Sequence, residues 1–204
     1  MTIQQAHKEF QLFLDKVDSQ ALPDFLPQEI DIFLHEAEVR VVKSYLPIRE
    51  DQRRADKINN LLVPIELTLI SNQVNLPEDY LSFERCQVEV SRTGIQPTYV
   101  TPYVVSQGKL NSYKQDPFNK TRINKPLIYL ESNKIKVDVD NFTANKVNLV
   151  YYKYPIKVSK VNNINSELSE SLQKEAISMA VLIALESIES ARTSTNAGLL
   201  PTTK

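Results

Sequence analysis

The segment Val63-Pro64-Ile65-Glu66-Leu67-Thr68-Leu69 marks the point at which the hydrophobic pattern of this chain changes. Before it, apolar residues recur every three or four positions, as they do along one face of an α-helix. Within it, Ile65, Leu67 and Leu69 alternate with polar residues, which is typical of a strand with one buried face. The sequence therefore predicts an α+β fold in which helices precede a β region.

Two amphipathic helices are predicted upstream of this change. Thr2 and Gln5 have the spacing of a capping box, which starts the first helix. Pro27 suits the first turn of the second helix. A short polar helix is predicted over residues 50–62. Residues 1–62 are therefore assigned to an N-terminal helical part.

The β region is assigned to residues 63–160. Its clearest element is a hairpin, in which the first strand is Leu127-Ile128-Tyr129-Leu130 and the second turns Ile135 and Val137 inward. One solvated face explains this alternation and predicts antiparallel pairing. Residues 95–126 have no long hydrophobic period and are predicted as an extended loop with short strands. Loops of this length are uncommon in compact domains and are often functional.

The C-terminal helix, predicted over residues 161–191, completes the helical part and packs on the first helices. Its apolar face is wider than one stripe, so the helix is expected to be buried on more than one side. The second side is covered either by the core of the chain or by a neighbouring subunit. The candidate subunit-packing residues are Leu172, Ala176, Met179 and Ile183. Residues 192–204 are predicted as an extended tail.

Composition and charge exclude several classes of function. The 204 residues carry 24 basic and 25 acidic side chains, for a net charge of -1, whereas a protein held to DNA through phosphates normally has a basic excess. The single cysteine excludes a disulfide framework and a multi-cysteine zinc site, and the 3 glycines exclude glycine-rich phosphate loops. We therefore expect no enzyme, no catalytic or metal-binding residue, no cofactor and no small-molecule substrate.

The polar residues that most resemble a chemical site have simpler interpretations. Cys86 occupies an inward strand position and is predicted to be a buried structural thiol. His7 is placed on the polar side of the first helix and His35 beside the apolar face of the second, both as surface or boundary residues. Asp138 and Asp140 share one strand face, a spacing that suits a cation, but that face is predicted to be solvated and is shared with lysines.

Neither a membrane span nor a secretory signal is predicted. No apolar run reaches the roughly 18 residues that a transmembrane helix needs. The N-terminus, MTIQQAHKEF, has no basic region followed by an apolar stretch. The protein is therefore expected to stay where it is made or assembled, with no membrane partner.

Aromatic residues are concentrated outside the periodic elements, where they are interleaved with basic residues. The mixture includes Tyr99, Tyr103, Tyr113, Phe118 and Arg122. Such mixtures stack on single-stranded nucleic acid in some proteins, and in others they pack loops or contact another protein. The lack of an overall basic charge favours the protein contact. A single-stranded nucleic-acid-binding module remains the alternative from another class.

Five segments, taken in order, carry a family resemblance. They are residues 25–34 at a helix start, the turn Leu76-Pro77-Glu78-Asp79-Tyr80-Leu81, the motif Asp116-Pro117-Phe118, the stretch Val150-Tyr151-Tyr152-Lys153-Tyr154-Pro155 and the helix at 172–190. Their order and spacing resemble the head-to-tail connector (ring) proteins of tailed phages, most closely the ring proteins of crAss-like phages. A looser resemblance is to the adaptor and tail-tubular proteins of other short-tailed phages.

The resemblance implies a structural virion protein at the head-tail junction, assembled in the host cytoplasm. Proteins of this family form a ring, typically of twelve copies, beneath the portal protein at the capsid vertex. The ring extends the channel, through which DNA passes without specific binding, and it docks the adjacent tail or ring protein. Another tail-completion or tail-tubular component is the main alternative.

The resemblance also implies two contact sites. Residues 196–204 correspond to a portal-docking arm, whose candidate residues are Asn196, Gly198, Leu199, Leu200 and Pro201. Residues 96–125 correspond to a contact with the neighbouring subunit or the next ring, whose candidate residues are Tyr99, Tyr103, Tyr113, Phe118 and Arg122.

Overall fold

The computed structural model of the protein describes residues 1–17, 25–46 and 57–199. The chain divides into a helical unit (Met1–Leu61 with Tyr154–Lys204) and a β unit (Leu62–Lys153), which confirms the predicted α+β fold. The helices are α1 (Ile3–Val17), α2 (Pro27–Tyr45), α3 (Leu110–Gln115) and α4 (Glu170–Leu199). The strands are β1 (Leu62–Thr68), β2 (Gln73–Asn75), β3 (Tyr80–Arg92), β4 (Ile95–Val100), β5 (Tyr103–Val104), β6 (Leu127–Glu131), β7 (Lys134–Asp138) and β8 (Thr143–Lys153).

The starts of α1 and α2 follow from their first residues. The Thr2 hydroxyl accepts a hydrogen bond from the Gln5 backbone N–H at 3.3 Å, and Gln5 Oε1 accepts one from the Thr2 N–H at 2.9 Å. This is the predicted capping box, which satisfies backbone donors that have no partner within the helix. α2 begins at Pro27, and Glu29 Oε2 accepts a hydrogen bond from the Leu26 N–H at 2.8 Å.

The core of the helical unit forms where α4 packs against both α1 and α2. The rings of Phe10, Phe25 and Phe33 extend this core, with centroids between 5.3 and 6.4 Å apart. Burial of such apolar area is the main favourable contribution to folding. The largest fully buried side chains of this unit are Phe10, Ile30, Val41, Ile58, Leu61, Leu172, Ile177 and His7.

The last helix, α4, begins and ends later than predicted: it spans Glu170–Leu199 rather than residues 161–191. The structure thus corrects the predicted extended tail for residues 192–199, whose backbone is helical. The reason is that no proline precedes Pro201 in this segment, so no residue there forces an earlier end. Leu200 and Pro201 lie outside the described residues.

The β unit consists of two four-stranded sheets, with strand orders β1-β8-β3-β4 and β2-β7-β6-β5. Strands pair antiparallel, as predicted, except that β5 runs parallel to β6, with Tyr103 opposite Leu127. Inward side chains from both sheets form one core, and the alternate side chains face solvent. Members of this core include Cys86, Val88, Val90, Ile128, Ile135, Val137, Val147 and Leu149.

The predicted hairpin is the pair β6 and β7, with Ile128 opposite Val137. Its turn residues, Ser132 and Asn133, have φ values of 49° and 61°. Two left-handed residues in a two-residue turn match the right-handed twist of the flanking strands. Val137 and Ile135 are buried, as the alternation predicted.

Residues 95–126 are more regular than predicted. They contain β4, β5, a 3-10 turn at Gln107–Lys109 and α3, which follows that turn directly. β3 and β4 form a hairpin through Gly94, whose φ of 82° suits glycine. Elements of two to six residues are too short to show a hydrophobic period, which is why the pattern predicted a loop.

The two units divide the chain close to one of the predicted boundaries. The β unit begins at Leu62, next to the predicted start at 63, and it ends at Lys153 rather than at 160. Of the short helix predicted over residues 50–62, residues 50–56 lie outside the described part of the chain, and Asn59–Leu61 form a 3-10 turn.

Candidate docking surface

Tyr103, on β5, and Tyr113, on α3, form a stacked pair. Their ring centroids are 5.5 Å apart and their hydroxyl oxygens 3.2 Å apart. Lys125 Nζ lies 4.6 Å from the centroid of the Tyr103 ring, which is a cation–π distance. The pair depends on α3, a helix that the sequence pattern did not predict.

An ordered turn follows α3 and presents Phe118 to solvent. Asp116 Oδ1 accepts a hydrogen bond from the Phe118 N–H at 2.9 Å, and Asp116 Oδ2 accepts one from Asn119 Nδ2 at 2.6 Å. The Asp116 carbonyl accepts another from the Lys120 N–H at 2.9 Å. The bonds to its carboxylate hold the pKa of Asp116 below its ordinary value. Phe118 is 85% exposed on this fixed backbone.

The base of the turn is tied to the β unit by polar contacts. Arg122 Nη2 donates a hydrogen bond to the Pro117 carbonyl at 3.0 Å. Thr121 Oγ1 donates one to the Asp138 carbonyl at 2.8 Å, and Lys114 Nζ lies 2.7 Å from Asp138 Oδ1. Asp138 therefore anchors this segment through its ion pair with Lys114, a partner that the solvated-face interpretation did not include.

These contacts connect the residues of what we term the aromatic–basic surface, in which Tyr113 is half-buried and the other side chains are exposed. Lys125 Nζ lies over the Tyr103 ring, and the backbone of Lys125 pairs with that of Arg122. The Arg122 guanidinium donates a hydrogen bond to the carbonyl of Pro117, the residue before Phe118. A set of aromatic and cationic side chains on a hydrogen-bonded backbone suits a protein contact. The aromatic–basic surface comprises Tyr103, Tyr113, Phe118, Lys120, Arg122 and Lys125.

Tyr99, the fifth predicted loop residue, has different surroundings. It lies on β4, in the other sheet, where its hydroxyl donates a hydrogen bond to Glu66 Oε2 at 3.1 Å. Lys146 Nζ lies 2.8 Å from the other oxygen of the same carboxylate. The structure thus groups four of the five predicted loop residues and places Tyr99 in a polar network across β1, β8 and β4.

The predicted subunit-packing residues belong mainly to the core of the chain itself. Leu172, Ala176 and Ile183 are 0%, 1% and 7% exposed, because α1 and α2 cover this face of α4. Met179 is half-buried. For Leu172, Ala176 and Ile183 this corrects the assignment to a subunit contact: of the two alternatives that the sequence left open, burial in the core holds for these three side chains.

The structure also corrects the predicted position of His7 on the polar side of the first helix. It is 1% exposed, and its Nε2–H donates a hydrogen bond to Asp31 Oδ1 at 2.8 Å. Burial lowers the pKa of His7, and the adjacent Asp31 carboxylate opposes this shift. The sequence holds a signal for this position, since His7 falls in a helical stripe with Ile3, Phe10 and Leu14.

The sequence pattern did not predict that two acids on α2, Asp31 and Glu38, are buried. Both carboxylate oxygens of Asp31 accept hydrogen bonds from the Lys160 backbone N–H at 3.1 Å, in addition to the bond from His7. Glu38, seven residues further along the same helix face, is buried beside Ser166, and burial raises its pKa to about 7. Both acids therefore make their polar contacts inside the helical unit.

Cys86 occupies the buried position that the sequence predicted. Burial raises the pKa of its thiol to about 12. We therefore expect the native protein to react with a thiol reagent at about pH 8 at less than a hundredth of the rate of the urea-unfolded chain. A colorimetric thiol assay measures this ratio, and comparable rates would contradict the burial.

The described ranges 1–17, 25–46 and 57–199 contain no group of three or more His, Cys, Asp or Glu side chains that could hold a metal ion. In that same part of the chain, no helix is both long and apolar enough to cross a membrane. The candidate arm residues Asn196, Gly198 and Leu199 have a helical backbone, and their side chains lie outside the described part.

No protein-family model matches this chain, and no curated protein matches its sequence. The family resemblance therefore rests on the five motif segments and their order. Two of these segments coincide with features described above. Asp116-Pro117-Phe118 forms the turn of the aromatic–basic surface, and residues 172–190 lie within α4.

Proposed function

We propose that this chain is a structural subunit of a connector (adaptor) ring between the portal and the tail of a phage. In this role it extends the DNA channel and docks the next tail component. The observation that carries the proposal is Phe118, whose side chain is 85% exposed on a turn that is held by hydrogen bonds to the Asp116 carboxylate and carbonyl. An exposed aromatic side chain on a fixed backbone loses little entropy on binding and is typical of an anchor at a protein interface.

Two further properties support the ring. The net charge of -1 suits a channel wall past which DNA slides, because a basic wall would bind phosphates and release counterions. The motif that holds Phe118 outward is also among the segments that resemble the connector family. Copies of one chain form a closed ring when two different faces meet and the rotation between subunits closes.

The proposal is tested by mixing the purified chain with the portal protein from the same genome and sedimenting the mixture. We expect the chain to travel with the portal, in a number of copies that matches the subunits of the portal ring. A chain that remains at the top of the gradient at every ratio contradicts the connector assignment and favours another tail position.

The C-terminal segment, 196–204, is proposed as the arm that contacts the portal. Replacing both Leu199→Asp and Leu200→Asp is expected to abolish sedimentation with the portal, because charge removes the apolar anchors of the arm. Thermal unfolding is expected to stay unchanged. The matched control, Thr202→Asp with Thr203→Asp, adds the same charge at polar positions. If the leucine variant still sediments with the portal, the arm is excluded as the contact.

Single-stranded nucleic-acid binding is the second candidate function, favoured by the Tyr103–Tyr113 stack beneath Lys125. A filter-binding assay with single-stranded DNA at low and moderate salt separates the candidates. For a connector we expect weak retention that moderate salt removes. Tight, salt-dependent retention that Tyr103→Ala abolishes contradicts the neutral channel and supports the nucleic-acid module.

A further inference from the structure

Charge is distributed unevenly along this near-neutral chain. Residues 103–126, which include the aromatic–basic surface, contain five basic side chains and one acidic one. The helix α4 is acidic overall, with four glutamates against Lys174 and Arg192, and residues 175–191 between those two cations contain three glutamates and no basic residue. A cationic surface and an acidic helix on one chain are complementary between two copies of that chain.

The solvent side of α4 carries a stripe that mixes acidic and apolar side chains. Glu175, Met179, Leu182 and Glu186 are spaced by four, three and four residues, so they lie along one helix face. Leu182 is 55% exposed and Met179 is half-buried. We term these four residues the α4 stripe. Its apolar centre lies between two carboxylates.

We infer that the aromatic–basic surface of one copy docks on the α4 stripe of a second copy. Phe118 packs on Leu182 and Met179, while Lys120 and Arg122 face the glutamates. This assignment rests on the proposed function, because it names the contact that builds the ring. It also replaces the buried face of α4, which the sequence suggested for this role, with the exposed face of the same helix.

The chemistry of the two surfaces fits this arrangement. Phe118 offers apolar area that is already exposed and ordered, and Leu182 offers an exposed apolar partner of similar size. Glu186 has no partner among the described residues, whereas Glu175 accepts a hydrogen bond from the Tyr45 hydroxyl at 2.9 Å. Opposite charges around an apolar centre raise the association rate and fix the orientation of the partner.

The two surfaces differ, so each pair of copies retains one free surface of each kind. Such a heterologous contact propagates from copy to copy until it closes a ring or continues as a filament. A symmetric dimer, in contrast, uses the same surface twice and stops. The contact therefore predicts how mixtures of variants associate.

Single substitutions in the aromatic–basic surface test its half of the contact by light scattering at low salt over a range of concentrations. Phe118→Ser and Lys120→Glu are each expected to raise the dissociation constant for self-association by at least about tenfold. The matched controls are Ile70→Ser, at a side chain that is 75% exposed, and Lys8→Glu on α1. Both controls are expected to associate like the wild type.

Charge exchange and mixing test the pairing itself. Glu186→Lys is expected to weaken association, and combining it with Lys120→Glu restores it, because the exchanged charges attract again. At a concentration between the wild-type and the variant dissociation constants, a chain with Phe118→Ser and a chain with Leu182→Asp are each expected to be monomeric. Mixed together, they are expected to form dimers and nothing larger, since only one intact pair of surfaces exists.

The outcomes separate this inference from the proposed function. If the wild type assembles only on the portal, the same variants are compared there. Rings that form as readily with Phe118→Ser, Lys120→Glu and Glu186→Lys overturn the α4 contact and leave the connector function standing. A wild type that stays monomeric in every condition, with the portal included, overturns both.

Discussion

Replacing Asp31 with alanine is expected to destabilise the helical unit by about 2–5 kcal/mol, because two hydrogen-bond donors lose their acceptor. Asp31 is the acceptor for the His7 imidazole at 2.8 Å and for the Lys160 backbone N–H at 3.1 Å. Alanine leaves the buried His7 donor and the part-buried Lys160 N–H without this acceptor, and their desolvation is then uncompensated. One side chain thereby connects α1, α2 and the segment that leads into α4.

Urea unfolding followed by far-UV circular dichroism measures this effect, because the signal reports mainly on the helices. The matched control is Asp15→Ala, at an exposed position of α1, which is expected to change stability by no more than about 0.5 kcal/mol. Asp31→Asn keeps one acceptor oxygen and is expected to fall between the two. An Asp31→Ala variant as stable as the Asp15→Ala control contradicts the proposed role of this carboxylate.

Glu38→Gln is expected to remove a large part of the pH dependence of stability. Burial raises the pKa of Glu38 from 4.5 to about 7 in the folded chain, with the nearby Glu167 charge acting in the same direction and a hydrogen bond with Ser166 opposing them. The folded state therefore binds this proton more tightly than the unfolded state. Ionising Glu38 costs the folded state about 3 kcal/mol above pH 7.

The direction of the pH dependence follows because the pKa of Glu38 is higher in the folded chain than in the unfolded chain. The contribution of Glu38 is most favourable below pH 4.5, declines as pH rises from 4.5 to about 7, and stays low above that. His7 and His35 act in the opposite sense, because burial lowers the pKa of each and stability is lost as pH falls below 6.5. The difference between the wild type and Glu38→Gln isolates the contribution of the glutamate.

Urea unfolding at several values between about pH 4.5 and about pH 8 gives this difference. The gain of Glu38→Gln over the wild type is expected to grow with pH and to be largest at the alkaline end. Glu36→Gln, at a half-exposed residue paired with Arg40 at 2.6 Å, serves as the control and is expected to show little pH-dependent gain. A gain that is the same at both ends of the range contradicts a buried, protonated Glu38.

The sequence predicts the larger elements well because their signals are local. Capping at Thr2, the first-turn proline Pro27 and the alternation through Ile135 each determine one boundary or one face from neighbouring residues alone. The short elements between residues 95 and 126 lack such signals. α3 has six residues, fewer than two helical turns, and its position depends on contacts with the rest of the β unit.

The candidate site is only partly predictable for the same reason. Phe118 and Arg122 are noticeable in the sequence as an aromatic and a cation in a loop, but the exposure of Phe118 follows from the hydrogen bonds of Asp116. An apolar face such as that of Leu172 predicts burial without saying whether the same chain or another chain covers it. Asp31 and Glu38 are polar residues on a buried helix face, which the pattern assigns to solvent.

The measurement that tests the connector most directly is the mass of the purified chain by light scattering, alone and with the portal protein, followed by negative-stain imaging. Closed rings, either free or on the portal, are the expected result, and their mass gives the number of copies. A mass equal to one chain, 23.3 kDa, in both conditions and no rings in the images contradict the connector.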